Sequence, residues 1–185
     1  MTLATQTRDA LRKICDPARA PAMQAYMKSS MPFLGVPTPL RRKVCRELYR
    51  DLRWNDAAEW QHDVLSLWRE AQFREERYCA IELSGLRAAR PFQTIAVLPL
   101  YEEMIVSGAW WDYVDAIATL RLGPLLRNDR DAMTRTMLEW STDPDMWKRR
   151  SAILCQIGAK RETDLDLLYA CIEPSLCSRE FFLRK

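Results

Sequence analysis

A six-residue segment that begins at Trp110, W-W-D-Y-V-D, holds two adjacent indoles and two carboxylates. On a helix, Trp111 and Asp115 are four residues apart and share a face, with Asp112 at its edge. An aromatic wall beside an anion suits a cationic or electron-poor group. A tryptophan at helical spacing is more often part of a core, and Trp110 shares its predicted face with Val114. We therefore expect Trp110 in the core and Trp111 beside Asp115 in a groove.

Arg150 falls on the apolar stripe of another predicted helix. The stripe consists of Met146, Ile153 and Ile157. A guanidinium near an apolar surface needs a counter-ion, because a desolvated, unpaired charge is very unfavourable. Asp115 and Asp112 are the candidate partners. One interpretation is a plain ion pair between two helices. The other is that Arg150 orients a carboxylate facing a groove, or contacts a phosphate directly.

The composition excludes several classes of site. The chain has a single histidine, His62, which argues against Ser-His-Asp or Cys-His catalysis and against a Cys/His zinc site. The sequence has no glycine-rich nucleotide-binding motif and no apolar run long enough for a membrane span, and residues 1–12 lack the apolar core of a signal peptide. We expect a cytoplasmic protein without metal or cofactor. Its six dispersed cysteines are expected to be structural: Cys15, Cys45, Cys79, Cys155, Cys171 and Cys177.

The positive charge is clustered rather than large. The net charge is +3 and the calculated pI is about 8.6, below that of a strongly basic nucleic-acid domain. One cluster is Arg41-Arg42-Lys43 with Arg46, and the other is Lys148-Arg149-Arg150 with Lys160-Arg161. Such clusters suit a surface that holds a polyanion, although solvated helix faces have the same pattern.

Capping signals and apolar spacing predict about ten helices joined by short turns. Start signals occur at Thr38-Pro39, Asn55-Asp56, Asp143-Pro144 and Thr163-Asp164. Further helices are expected within residues 1–15, 17–29, 73–89 and 91–107, and the helix after Asp143 is expected to end near Gly158. Helix pairs that recur every 35 to 45 residues or so indicate a HEAT-like solenoid, an α-α superhelix with a concave basic surface. An irregular helical bundle is the alternative.

The chain is expected to form a single helical-repeat domain over residues 1–185. Its last residues, Glu180 to Lys185, read as the first turn of an amphipathic helix, and so short a helix is poorly stable alone. We therefore expect that the sequence is a C-terminally truncated piece of a longer protein.

Several motifs, in this order along the chain, carry a resemblance to a known family. They are Tyr26-Met27-Lys28, the segment P-F-L-G-V-P-T-P-L-R-R from Pro32 to Arg42, Phe73-Arg74-Glu75, W-W-D-Y-V-D, Trp147-Lys148-Arg149-Arg150 and Glu180-Phe181-Phe182. From about Ala20 to Lys185 the chain resembles the AlkD-type DNA alkylation-repair family, DNA glycosylases built of HEAT-like repeats. Two of these segments, W-W-D-x-V-D and the proline-rich one, are individually specific.

The resemblance implies roles for individual residues. Asp115 matches the family's catalytic carboxylate, Trp111 the aromatic residue that packs on the lesion's deoxyribose, and Arg150 the active-site arginine. The expected DNA-binding residues are Tyr26, Lys28, Thr38, Arg41, Arg42, Lys148 and Arg149. The family has a second active-site tryptophan a few residues beyond the E-F-F segment, and this sequence stops before that position. The family also acts without flipping the damaged base into a pocket.

This chemistry needs few residues. A purine alkylated at N7 or N3 is already cationic and leaves as a neutral base, so no general acid is required, unlike ordinary glycoside hydrolysis. One ionised carboxylate can stabilise the cationic sugar and help to place water. The resemblance thus implies a base-excision-repair glycosylase that acts on alkylated duplex DNA, and we expect it to be a monomer. The alternatives are a non-catalytic relative that binds distorted or branched DNA, and a protein-binding scaffold.

Overall fold

The computed structural model describes residues 1–185, and all its regular structure is helical. It divides into two compact units, Met1–Arg90 and Pro91–Lys185. The all-α class predicted from the sequence is confirmed, whereas the single domain expected over 1–185 stays a prediction. None of the helices combines the length and apolar character that crossing a membrane requires.

The first unit contains five α-helices. They are α1 (Leu3–Arg12), α2 (Ala20–Met27), α3 (Thr38–Leu48), α4 (Ala57–Arg69) and α5 (Arg74–Ser84). Helix α5 packs against α1, α3 and α4. Its buried face includes Cys79 and Leu83, and α4 contributes Val64 and Leu67, all inaccessible to solvent. A 3₁₀ segment, Arg87–Phe92, follows α5.

The second unit contains the remaining seven α-helices. They are α6 (Leu98–Gly108), α7 (Trp111–Ile117), α8 (Gly123–Asn128), α9 (Arg130–Ser141), α10 (Met146–Leu154), α11 (Leu165–Ile172) and α12 (Phe181–Arg184). Short 3₁₀ segments lie at Ile95–Val97, Ile157–Glu162 and Glu173–Ser175. Helix α10 packs against α6, α7, α9, α11 and α12, so it forms the centre of this unit.

Carboxylates cap several of these helices. Asp56 accepts the N–H of Glu59 at 2.9 Å and begins α4, and Asp164 accepts the N–H of Leu167 at 3.1 Å and begins α11. These carboxylates accept hydrogen bonds from backbone N–H groups of the first helical turn, which have no acceptor within the helix. The expected start after Asp143-Pro144 is displaced by two residues, because Asp145 is the side chain that caps α10.

Helix α10 also ends earlier than the sequence predicts. Its last residue is Leu154, and the glycine expected to terminate it, Gly158, lies within the 3₁₀ segment Ile157–Glu162. Lys160 in that segment has φ 53°, outside helical geometry. The end at Gly158 was therefore wrong, since the chain leaves the α-helix before the glycine.

Most of the cysteines are buried, in agreement with the structural role expected for them. Cys45, Cys79, Cys155 and Cys171 are buried as free thiols, whereas Cys15 and Cys177 are exposed. Burial raises the pKa of the Cys155 thiol to about 12 and that of Cys171 to about 11. These two thiols therefore stay protonated and unreactive near neutral pH.

The loop that leads into α3 is held by a buried carboxylate. Glu75, fully inaccessible to solvent, accepts the backbone N–H groups of Leu34, Gly35 and Val36 at 2.9 to 3.1 Å. Gly35 has φ 81°, which only glycine adopts readily. Glu75 of α5 therefore fixes the path of the chain into Thr38, the first residue of α3.

We expect the substitution Glu75→Ala to lower the free energy of unfolding by about 3 kcal/mol or more, because three buried N–H groups would lose their acceptor. Urea denaturation followed by circular dichroism measures this. Glu47→Ala is the matched control, since Glu47 on α3 is exposed and makes only a loose pair with Lys43; its effect should stay below about 1 kcal/mol. A loss below about 1 kcal/mol in Glu75→Ala would show that the loop does not depend on this carboxylate.

Candidate functional site

Asp115 and Arg150 form a two-point ion pair between α7 and α10. The guanidinium Nε donates to Oδ1 of Asp115 at 2.6 Å, and Nη2 donates to Oδ2 at 2.8 Å. Paired N–H groups of arginine match the two oxygens of a carboxylate, so this geometry fixes the plane of Asp115. The structure thus selects Asp115 over Asp112 as the partner of Arg150.

Exposure differs between the two partners. The side chain of Arg150 is 11% exposed, and that of Asp115 is 32% exposed. Each oxygen of Asp115 accepts one bond from Arg150 and keeps further acceptor capacity. The carboxylate is therefore held rigidly from one side while part of it still faces solvent.

Arg150 has additional partners at the end of the chain. Its Nη1 donates to the backbone carbonyl of Phe182 on α12, and the Phe182 ring lies 5.8 Å from the guanidinium carbon. The same ring packs against Trp147 at 5.1 Å and Trp110 at 5.6 Å between ring centroids. This aromatic cluster of Trp110, Trp147 and Phe182 borders the guanidinium and limits its access to water.

The two adjacent tryptophans have different positions. Trp110 precedes the first turn of α7 with extended backbone angles, and its partly buried ring belongs to the aromatic cluster. The core position expected for Trp110 was therefore wrong: the residue is only partly buried, and as the N-cap of α7 it does not share a helical face with Val114. Trp111 is the first residue of α7, one turn before Asp115, and is partly exposed. Trp111 and Asp115 are both partly exposed on α7, and the groove expected beside them stays a prediction.

The buried face of α10 differs from the expected apolar stripe. Trp147, Arg150, Ser151 and Ala152 are buried there. Met146 and Ile153 are only partly buried, and Ile157 lies beyond the helix and is 60% exposed. Arg150 is buried as predicted and the Phe182 ring lies beside its guanidinium; of the expected stripe, only Ile153 borders the same cavity as Arg150.

The predicted DNA-binding residues of the first unit divide by exposure. Tyr26 is 80% exposed, and Lys28 and Thr38 are exposed as well. Arg42 is exposed and its Nε donates to Glu82 at 3.2 Å. Arg41 is only 7% exposed and stacks 4.6 Å from the ring centre of Tyr78, so its guanidinium is poorly placed for a phosphate.

Lys148 in the second unit also forms ion pairs with carboxylates of its own unit. Its Nζ lies 2.6 Å from Asp143 and 2.8 Å from Glu102, and 5.2 Å from the ring centre of Trp140. Burial alone would lower the pKa of Lys148, but the hydrogen bonds to the two carboxylates outweigh it and leave that pKa raised. The structure therefore favours a structural role for Lys148. Its neighbour Arg149 is partly exposed.

The sequence indicates Arg150 and its candidate carboxylate partners, but it does not indicate most of the groups that contact the charged residues. Phe182 acts on Arg150 through a backbone carbonyl, which no residue type reveals. Glu82 and Glu102 lie on other helices than the cations that they contact. Only the E-F-F segment gave a signal, through the resemblance rather than through its spacing. No group of three or more His, Cys, Asp or Glu side chains is arranged to hold a metal ion.

Comparison with known proteins identifies the family and the fold class of the chain. Residues 7–185 match the family model described as DNA alkylation repair enzyme. A solved structure from Enterococcus faecalis, described as a "predicted DNA alkylation repair enzyme", has 25% sequence identity and a TM-score of 0.73, and the match covers 92% of this chain and 78% of that one. No curated protein matches significantly. The matches confirm the resemblance and the helical-repeat fold class predicted from the sequence.

Proposed function

The chain belongs to the family of DNA alkylation repair enzymes, and we propose that it is a DNA glycosylase. In this proposal it hydrolyses the N-glycosidic bond of positively charged N7- or N3-alkylpurines in duplex DNA, as a monomer. The pairing of a partly exposed Asp115 with a buried Arg150 is the observation that carries the proposal. A non-catalytic relative that binds distorted DNA remains the alternative outcome of the tests below.

The charge of the lesion decides which groups the reaction requires. An N7-alkylated guanine carries a positive charge and departs as a neutral base, so the enzyme need not protonate it. The remaining barrier is the formation of a positive, oxocarbenium-like deoxyribose. A preorganised anion beside the sugar stabilises that charge as it develops.

Asp115 is suited to this role by its ion pair. Arg150 holds both carboxylate oxygens at 2.6 and 2.8 Å, which keeps the group in one orientation without reorganisation during the reaction. The remaining acceptor capacity of the oxygens is available to a cationic sugar or to the attacking water. Arg150 is thus a positioning residue for the carboxylate. Water attacks C1′ of the deoxyribose as the base leaves.

Trp111 supplies the second component. It lies one helical turn before Asp115, and its indole is partly exposed. The face of an indole attracts cations, so a ring packed on the deoxyribose would favour the cationic sugar over the neutral one. Trp111, Asp115 and Arg150 are all present, which favours an enzyme over a relative that has kept only DNA binding.

Binding of the duplex is assigned mainly to the exposed residues of the first unit. Tyr26, Lys28, Thr38 and Arg42 present hydroxyl or cationic groups to solvent, which are the donors that contact phosphates. The residues proposed for chemistry lie on helices rather than on a wedge-bearing loop. That arrangement supports catalysis without extrusion of the base.

The substitution Asp115→Asn tests the catalytic assignment. It keeps the shape of the side chain and removes its charge, so we expect single-turnover release of 7-methylguanine from methylated duplex DNA to fall by about 100-fold or more. Duplex affinity should stay within about twofold of wild type, since the carboxylate does not attract phosphates.

Asp131→Asn is the matched control, because Asp131 is an exposed aspartate in the first turn of α9. It should leave the release rate unchanged. Wild-type activity in Asp115→Asn would remove Asp115 from the mechanism. Absence of release by the wild-type chain, with duplex binding retained, would favour the non-catalytic alternative.

The substitution Arg42→Ala tests the phosphate-binding surface. Loss of one phosphate contact should reduce the slope of log affinity against log salt concentration by about 0.9. Lys148→Ala is the informative comparison, because its ammonium already has two carboxylate partners; it should lower the melting temperature and leave the salt slope unchanged. Equal slopes for Arg42→Ala and wild type, measured by fluorescence anisotropy, would contradict the assignment of Arg42.

A further inference from the structure

The helix that carries Asp115 continues past α7 through an irregular turn. A π-helical turn at Ala118–Leu122 joins α7 to α8, and the backbone stays right-handed helical through both junctions. The Gly123 N–H donates to the carbonyl of Ala118, five residues earlier. A turn of this kind takes up one residue more than an α-helical turn.

Pro124 explains why the turn is irregular. It has no N–H to donate to the carbonyl four residues earlier, which is that of Leu120, and its ring crowds that carbonyl in a regular helix. The guanidinium of Arg121 donates to the Leu120 carbonyl at 2.9 Å instead. The π turn therefore lets the helix pass a proline without a break.

The extra residue changes which face Gly123 occupies. In a regular helix, the eight positions from Asp115 to Gly123 would turn the chain about 80° beyond two full turns. With one residue absorbed by the π turn, the offset becomes about 20° in the other direction. Gly123 is thereby brought close to the face of the helix that carries Asp115.

Gly123 lies in close contact with the end of α10. A Cβ atom built on Gly123 would lie 2.6 Å from the backbone carbonyl oxygen of Cys155, the residue that follows α10. The backbone of Gly123 is ordinary α-helix, with φ −57° and ψ −51°, so the requirement is for space and not for conformation. A backbone oxygen at the end of a packed helix cannot move aside as a flexible side chain would.

The same two helical segments are therefore joined at two points. Asp115 contacts Arg150 at one point, and Gly123 contacts Cys155 at the other. Along the axes these points are separated by eight residues on one side, one of them taken up by the π turn, and by five on the other, roughly 10.5 and 7.5 Å. A side chain at position 123 would displace the end of the helix that carries Arg150.

We propose that Gly123, placed by Pro124, is a positioning residue of the reaction: it sets the approach of α10 to α7 at which Arg150 reaches both oxygens of Asp115. This proposal rests on the proposed function for its effect on rate, and on geometry alone for its effect on the ion pair.

Gly123→Ala is the direct test, with Gly158→Ala as its matched control. A Cβ on Gly158 would meet only the Cγ2 of Thr119, at 4.0 Å, so that substitution fits without displacement. For Gly123→Ala we expect single-turnover release of 7-methylguanine to fall 10- to 100-fold, since misplacement of about 1 Å has effects of this size. Duplex affinity should change less than about twofold. Gly158→Ala should match wild type in both measurements.

A second variant covers the case in which Gly123→Ala does not fold. Pro124→Ala restores an N–H that can bond to the Leu120 carbonyl, and it adds no atom at the contact with Cys155. It should shift the turn toward regular α-helix and lower the release rate about tenfold at unchanged duplex affinity. Unchanged rates in every folded variant of this pair would overturn the proposal, and so would a rate loss explained fully by the unfolded fraction.

A measurement without substrate separates this proposal from the glycosylase assignment. The Nε–H resonance of Arg150, identified by its disappearance in Arg150→Lys, reports the bond to Asp115. It should shift toward the position of a free guanidinium in Gly123→Ala and stay in place in Gly158→Ala. If the wild-type protein proves inactive but the resonance still shifts in Gly123→Ala, the geometric role of Gly123 stands and only the proposed activity is removed. An unshifted resonance in folded Gly123→Ala would overturn the positioning role itself.

Discussion

The ion pair between Asp115 and Arg150 is the interaction on which the organisation of the second unit depends. A guanidinium that is 11% exposed needs acceptors for its N–H groups, and it finds them in the Asp115 carboxylate and the carbonyl of Phe182. Three helices, α7, α10 and α12, thus converge on one charged group. The arrangement also leaves the carboxylate a third exposed, which a purely structural ion pair does not require. In the proposed reaction, the same contacts that satisfy a buried charge would also hold an anion in place for a cationic transition state.

Several of the clustered positive side chains in this chain form ion pairs with carboxylates of the same chain. Glu82 serves both Arg41 and Arg42, and Lys148 is bound between two carboxylates. A count of clustered cations overstates the surface that is available to a polyanion, because some of these side chains stabilise helix contacts. The exposed residues at the start of α3 remain suited to phosphates, and the buried Glu75 fixes the loop that leads to them. Charges that stabilise helix contacts and charges proposed to bind DNA are thus adjacent in sequence but differ in burial.

The sequence predicts the helical class, the family and the central ion pair, and the physical reasons are local. A buried arginine requires an anion, and Asp115 lies on the only segment with two candidate carboxylates beside an aromatic pair. Features that depend on contacts distant in sequence were not predictable. Three such features result from packing between helices. Helix α10 ends early, Trp110 precedes α7 instead of lying within it, and Glu102 forms an ion pair with Lys148. The π turn that keeps the helix continuous past Pro124 is likewise a feature that no residue type in the segment predicts.

In the proposed reaction, one fixed carboxylate is enough for cleavage of the N-glycosidic bond, because the leaving base is already cationic. The most direct measurement compares single-turnover release of 7-methylguanine and of uracil from duplexes that are otherwise identical. Uracil is a neutral lesion, and its departure would require help that Asp115 with Arg150 does not provide. We expect clear release of 7-methylguanine above the spontaneous rate and no enzymatic release of uracil. Comparable release of both bases would contradict it.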